Sequence, residues 1–581
     1  MGNDNKWVGD SELGERFPAW TRGNAADVFP DPFSPLGKSM VLQLSMSPGL
    51  RDAYIALGAL NYDEFENPDT PDLFKMFGGY VYNPLTLTRV FGYRMPGATP
   101  EMIDKAFFDD NDEVPPYEHQ DWHDSPDNDA KLGESMGWAM STTELPMLDA
   151  DRDMVREQRA NRPDLAEMTD SALLARARSM VPLLQRCFEN AMVVSSLASL
   201  GPGALAAVCE GIGDPSLSIR LLAGIEVDSA APSHAMWELG RVAAASDAVS
   251  AAFADGPDLV LDRLRNTGGA DADDFLERFD AFLFEYGARA QNEYDIYATS
   301  WEVKPRIALA AIDLMRRSDE SQAPAGRQAA SIAERDRVVA EVREKIAGDP
   351  ETAGLFEAAL GSAQRFLSGR ERAKTNTITI INEMRVAIRE YGRRLVERGV
   401  IDAVEKLFMA DNHQLDRIRH SPESVVPALD SRWEQFQTLF EREPVFMVNG
   451  RVPELSEMTR RDAETVGTVE VGTVLTGAAG SGGVATGRAR VILDAADPEG
   501  LEPGDILVAP QTDPSWVPLF VPADGVIVNV GAMGSHAMIV SRELGVPCVA
   551  SVAGATKLIP DGATVTIDGN AGTVTIDALP D

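Results

Sequence analysis

The sequence predicts a multidomain protein, a long and mainly α-helical region followed by a small C-terminal α/β domain. Segments such as "TDSALLARARSMVPLLQRCFENAMVVSSLASL" and "ITIINEMRVAIREYGRRLVERGVI" repeat apolar residues three and four apart over many turns, the period of helices with one buried face. After about residue 470 this period gives way to short β-branched runs, "DILVAP", "GVIVNV", "PCVASV" and "TVTIDG". The 581 residues, 44% of them hydrophobic, are also more than one core usually holds.

Along the chain, the Pro-, Gly- and aromatic-rich text from about Trp20 to Gly92 ("WTRGNAADVFPDPFSPLGKSM", "MFGGYVYNPL") predicts irregular structure with short strands. Helices are expected to dominate up to residue 465, with "SDESQAPAGRQ" (318–328) as a polar loop inside them. The glycine-rich stretch 466–483, containing Gly480, Gly482 and Gly483, reads as a hinge into an α/β domain over 484–581. No internal repeat is apparent.

Charge and cysteine usage narrow the function classes. Lys and Arg number 53 against 91 Asp and Glu, a net charge of −38, which disfavours a nucleic-acid or anionic-membrane partner and fits solubility. Cys187, Cys209 and Cys548 are scattered without a metal or disulfide spacing, as suits a reducing cytoplasm. The start "MGNDNKWVGDSELGERF" has no apolar signal core, and no run approaches membrane-spanning length, so a cytoplasmic location is expected.

The segment "VGAMGSHAMIVSRELGVPCVAS" (530–551) holds the main candidate site. Gly531 and Gly534 end an apolar strand run, and Ser535 stands at an N-cap position. Ala537, Val540 and Leu544 share one helix face, and Gly545 and Pro547 stop the helix. His536 therefore falls in the first turn. Backbone amides and the helix dipole favour an anion there, so a side chain at that point can carry or meet a phosphoryl group. For an isolated histidine a turn-filling role is the commoner reading; the surroundings reverse it.

The string "GDILVAPQTDPSWVPLFVPADGVIVNVGAMGSHAMIVSRELGVPCV" (504–549) resembles the phosphohistidine swivelling domain of the phosphoenolpyruvate synthase, pyruvate phosphate dikinase and rifampicin phosphotransferase group. The resemblance implies that His536 carries a phosphoryl group between two sites, and that Gly534, Ser535, Thr512 and Trp516 of the matched elements bind the substrate or the phosphoryl group. The earlier stretches "WTRGNAADVFPDPFSPL", "NRPDLAEMTDSALL", "YGARAQNEYDIYATSWE" and "GRERAKT" are similar to the substrate-binding domain of rifampicin phosphotransferases and to the large subunit of split aryl dikinases such as phenylphosphate synthase and acetovanillone kinase. No segment resembles an ATP-grasp domain or a P-loop, and a phosphoenolpyruvate barrel does not fit after the histidine helix. The expectation is thus an acceptor-binding and carrier subunit, loaded by a separate ATP-grasp partner that binds ATP and Mg2+. Its acceptor would be a small aromatic alcohol or phenol. A rifamycin-like antibiotic phosphotransferase component and a non-enzymatic phosphorelay protein are the alternatives.

Arg370 and Lys374 in "RERAK" are four apart on a predicted helix and match the family's R-x-x-x-K pair, which implies contact with the incoming phosphoryl group; a solvated basic face is the competing reading. Arg289 and Glu293 are further candidates if "ARAQNE" is helical, against a structural ion pair. Ala288 stands where relatives commonly have a histidine that plausibly takes the acceptor's proton, and a phenol, with a pKa of about 10, needs such a base less than an aliphatic alcohol. His119 and His123, with Asp121 and Asp124 in "YEHQDWHD", suit a polar surface loop better than a metal site, and no metal is assigned. Trp20, Trp122, Trp138 and Trp301, with Tyr80 and Tyr82, read as core before pocket.

Overall fold

The computed structural model describes residues 7, 9–108, 111, 113–225, 228, 230–461, 469–495, 498, 500–531 and 535–580. A mainly helical N-terminal region is followed by a small β-rich C-terminal domain, as the periodicity predicts. The compact units divide differently from the expected boundary at 465. One is Met1–Leu200 with Tyr294–Ala298 and Ala373–Glu464; the other is Gly201–Glu293 with Thr299–Arg372 and Thr465–Asp581. The helical region is thus split, and its middle part shares a unit with the C-terminal domain, because their apolar faces merge into one core.

The first unit contains a four-stranded antiparallel sheet in the order β2-β3-β1-β4, made of β1 (Ala19–Thr21), β2 (Lys75–Phe77), β3 (Tyr80–Pro84) and β4 (Met447–Asn449). The text between β1 and β2 is less irregular than expected. A helical turn at Pro35–Gly37 runs into a wide π-type stretch, Lys38–Met46, and on into a helix, Ser47–Ala56. Ser34 starts this run by accepting the Gly37 N–H, and is itself held by the buried Asp295 carboxyl, to which its hydroxyl donates at 2.6 Å. Burial pushes that carboxyl up to about 6. Trp20, Tyr80 and Tyr82 are fully buried core here, and Trp301 is so in the second unit, whereas Trp122 and Trp138 are half-buried.

Two local expectations need correction. His123 is not on a polar surface loop: it is buried, its Nδ1 lies 2.7 Å from the Tyr117 hydroxyl, and burial pulls its pKa down to about 4. His119, Asp121 and Asp124 match the surface reading: all three are exposed, and His119 lies 3.1 Å from Asp124. The helical run Asp170–Gly211 is long and apolar enough, by length and composition, to cross a membrane, contrary to the expectation that no run approaches that length. It is built of three segments, Asp170–Ser179, Val181–Leu197 and Leu200–Gly211.

The second unit carries an eight-stranded sheet in the order β5-β12-β11-β7-β8-β9-β10-β6. Its strands are β5 (Val474–Thr476), β6 (Ala478–Ser481), β7 (Val484–Val491), β8 (Ile506–Ala509), β9 (Gly525–Val528), β10 (Cys548–Ala550), β11 (Thr564–Asp568) and β12 (Thr573–Ala578). β7 to β10 are parallel neighbours and the flanking pairs are antiparallel. β8 and β9 are buried on both faces, which explains why their sequences are continuous apolar runs and not alternations.

Period-2 alternation divides these strands between two cores. Ile506, Val508 and Ile527 join Val565, Ile567 and Ile559 on one face. Leu507, Ala509, Val526 and Val528 pack on the other with Ala537, Val540 and Leu544, and that core continues into Met236, Trp237, Leu239, Phe279 and Phe282 of the helical layer.

The glycine-rich hinge is the principal correction. Gly480 lies inside β6, which pairs antiparallel with β10, and Gly482 and Gly483 connect β6 to β7 within the same sheet. Residues 466–468, the start of the proposed hinge, lie outside the described residues. Gly480 is required by close approach: a Cβ there would meet the Cys548 carbonyl at 3.0 Å and Met538 Cγ at 3.1 Å. Gly480→Val should therefore destabilise the C-terminal sheet by about 1–3 kcal/mol, read as a lowered thermal midpoint. An unchanged midpoint with slowed turnover would restore the hinge reading.

Candidate functional site

His536 is the first residue of the helix His536–Leu544, as the local sequence predicts. Ser535 precedes it with extended backbone (φ −68°, ψ 155°), and the Ile539 N–H bonds the Ser535 carbonyl to open the helix. Gly545 ends it in the left-handed conformation (φ 63°, ψ 30°), which a glycine adopts without steric cost. Ala537, Val540 and Leu544 bury the inner face and fix the direction in which the helix start points.

The imidazole is pinned from the side. Thr512 Oγ1 lies 3.2 Å from His536 Nδ1, and the Phe520 ring stands 6.4 Å from the imidazole centroid. The histidine is half-buried, and its Nε2 atom is shielded from solvent.

Thr512 is held in turn by the residues that follow it. Asp513 caps the short turn Pro514–Trp516: its carboxylate accepts the Ser515 N–H at 2.8 Å and the Ser515 hydroxyl at 2.5 Å. Trp516, 2% exposed, packs in the core shared with the helical layer, so it anchors the Thr512 loop and does not face a ligand as the sequence reading had it. The Ser535 hydroxyl is buried and makes no capping bond. It has no hydrogen-bond partner among the described residues, which leaves it available to an anion beside His536. Gly534 lies outside the described residues.

Arg289 and Glu293 come to the same place by a route the sequence did not suggest. The helix Ala270–Tyr286 ends before them, so they do not share a helix face. Irregular backbone, with Asn292 at φ 50°, nevertheless brings Arg289 Nη1 to 3.4 Å from Glu293 Oε1, both residues being 2% exposed. The Asn292 N–H points to Asp513 Oδ2 at 3.4 Å, so the segment carrying the pair lies against the loop that holds His536. Two residues that spacing did not single out, Asn292 and Asp513, make this join; only their 221-residue separation hid it.

Arg370 and Lys374 do lie four apart on one helix, the 48-residue Pro350–Glu397, and both are half-buried. Arg370 falls in the unit of His536 and makes no hydrogen bond or ion pair with any described residue. Lys374 falls in the first unit, its Nζ 5.8 Å from the Tyr294 ring centroid. No hydrogen bond among the described residues joins Arg370 to the His536 loop. Among those residues, too, no group of three or more His, Cys, Asp or Glu could hold a metal ion.

A shielded histidine at a helix start, braced by a hydroxyl and seated on a helical layer, is the arrangement a family comparison can identify. Residues 501–572 match the mobile domain of PEP-utilising enzymes. Residues 188–371 match the fourth domain of rifampicin phosphotransferase. The two matched segments supply the two sides of the core under His536.

Curated relatives match part of the chain. The chain is 31% identical over 323 residues to a rifampicin phosphotransferase from Streptomyces sviceus, covering 54% of this chain and 36% of the relative. It is 28% identical over 333 residues to the Bacillus subtilis rifampicin phosphotransferase (55% and 37%). It is also 28% identical over 306 residues to the prodigiosin synthesizing transferase PigC of Serratia marcescens (51% and 33%). The chain spans about a third of the length of these relatives.

The Thr512 contact sets a direct test. Thr512→Val removes the hydroxyl at Nδ1 and should leave the fold intact while shifting the imidazole nitrogen NMR signals toward a tautomer mixture. If His536 is phosphorylated, as proposed below, that reaction should slow by about fivefold, the worth of one hydrogen bond of about 1 kcal/mol. Unchanged nitrogen signals would show that the hydroxyl does not set the tautomer.

Proposed function

We propose that this chain is the acceptor-binding and phosphohistidine-carrier part of a rifampicin-phosphotransferase-like phosphotransferase. One observation carries the reading: His536 opens a helix in a segment like the PEP-utilising mobile domain, braced at Nδ1 and packed on a segment like the rifampicin phosphotransferase fourth domain. In this proposal Nδ1–H donates to Thr512 Oγ1, 3.2 Å away, which leaves the Nε2 lone pair as the nucleophile. In loading, Nε2 attacks phosphorus and the bond from phosphorus to the donor's leaving oxygen breaks. In delivery, the acceptor oxygen attacks phosphorus, the P–N bond breaks, and the hydroxyl proton leaves to solvent or a base. ATP with Mg2+, held by an ATP-grasp partner, would supply the phosphoryl group.

Phosphoryl transfer needs positive charge around the equatorial oxygens more than covalent help. The buried Arg289 is matched by Glu293 and adds little net charge; Arg370, without a described partner, and the amides at the His536 helix start are the better stabilisers. Similarity to rifampicin phosphotransferases favours a bulky, polyhydroxylated antibiotic as acceptor over a small phenol. A small phenolic acceptor stays as the second reading because the buried Ala288 supplies no base, and a phenol, with a pKa of about 10, needs one less than an aliphatic alcohol.

With ATP and an ATP-grasp partner, the wild-type chain should gain an acid-labile, base-stable phosphoryl group that His536→Ala lacks; label retained in that variant contradicts the assignment. Arg370→Ala should load normally but deliver about a hundredfold more slowly, the loss of about 3 kcal/mol of charge stabilisation. Equal loss in both half-reactions would assign Arg370 to folding or docking. A thermal-shift panel of rifamycins and simple phenols separates the two acceptor readings.

A further inference from the structure

The helical layer grips the C-terminal domain at a second place, away from the imidazole. Arg327 Nη1 donates to the carbonyls of Val521 at 3.2 Å and Ala523 at 3.5 Å, and its Nη2 lies 3.8 Å from Asp524 Oδ1. Gln322 Nε2 donates to the Pro522 carbonyl at 2.9 Å. The Ser331 hydroxyl donates to the Arg542 carbonyl at 3.4 Å, at the far end of the histidine helix. Gln322 closes the turn Glu320–Gln322, and Arg327 and Ser331 stand on the helix Pro324–Ile346. Part of the stretch read from sequence as a polar loop is therefore a contact surface, with Pro324 in the first turn of the helix.

The acceptors are main-chain carbonyls just after the short helix Val517–Phe520, groups that a helix end leaves without internal partners. Because the carbonyls belong to the backbone, these bonds report the position of the turn and not the identity of its side chains. They sit at the rim of the apolar contact between Val517–Phe520 and the helical layer, which resists separation but sets orientation only loosely. The C-terminal sheet does not need them for its own fold, since its other face closes a separate core.

We propose that Gln322 and Arg327 form a docking latch that holds the turn Val521–Asp524 in the pose in which His536 Nε2 is shielded, and that releasing it exposes the histidine for loading. The inference rests on the carrier reading for its purpose, but its geometry can be tested without any phosphoryl chemistry. Gln322 and Arg327 are positioning residues: they act on His536 through the turn and do not touch the reacting atoms.

The experiment follows acylation of His536 in the full chain by diethyl pyrocarbonate, which attacks accessible imidazole nitrogen, with amide hydrogen exchange over 517–524 and 536–544 measured in parallel. The double variant Gln322→Ala/Arg327→Ala should acylate His536 about tenfold faster, a factor equivalent to about 1.4 kcal/mol of docking. Exchange should rise in both segments while β7, β11 and β12 keep wild-type protection. Arg327→Lys, which keeps the charge but not the fork, should fall between. If the double variant does not fold, Gln322→Ala alone must move His536 acylation in the same direction. Unchanged acylation in a folded variant overturns the latch, as does a rise in exchange spread equally over the whole sheet. A faster acylation together with no phosphorylation of His536 in any form would uphold the latch and remove the carrier reading.

Discussion

The burial of Val517–Phe520 against the helical layer is the contact on which the candidate site depends. A four-residue helix has no stability of its own, because nucleation costs more than so few hydrogen bonds return. Its Val, Leu and Phe side chains instead join the core that contains Met236, Trp237 and Leu239. Each is worth on the order of 1.5–3 kcal/mol when fully buried, more than the ~1 kcal/mol typical of a carbonyl hydrogen bond. The apolar contact therefore supplies the hold. The Arg327 and Gln322 bonds add direction. Trp516, one residue earlier, transmits that hold to Asp513 and Thr512, and Thr512 passes it to the imidazole.

Electrostatics narrows which groups can serve a phosphoryl ion. The chain carries a net charge of −38, so an incoming dianion meets an unfavourable general field and needs local compensation. Arg289 lies on the segment that Asn292 ties to the His536 loop, yet Glu293 at 3.4 Å neutralises it, and a buried matched pair orients more than it attracts. What remains is the helix-start amides, the buried Ser535 hydroxyl and the half-buried Arg370 guanidinium.

Much of this architecture was legible in the sequence wherever its cause was local. The start of the His536 helix, its Gly545 stop and the apolar runs of β8 and β9 follow from neighbours within a few residues, and those readings agree with the structure. The failures share a different origin. Gly480 was assigned to a hinge on composition alone, whereas the Cys548 carbonyl, distant in sequence, is what demands a glycine. The Arg289–Glu293 pair was anticipated from helical spacing, and it forms on a left-handed turn instead. Trp516 was taken for a ligand contact because its motif travels with the histidine; its indole turned out to be an anchor in the core. Gln322 and Arg327 gave no signal, since their partners lie 200 and 194 residues away.

The central claim is that His536 both receives and surrenders a phosphoryl group. Its most direct test is a single-turnover chase: the phosphorylated chain is freed of nucleotide and partner, then mixed with a rifamycin or a phenol, and label is followed from protein to small molecule. The account predicts that label leaves His536 and appears, mole for mole, as an acid-stable phosphate ester on an acceptor. Loss of the label as inorganic phosphate alone, at the same rate with and without every acceptor, would contradict it.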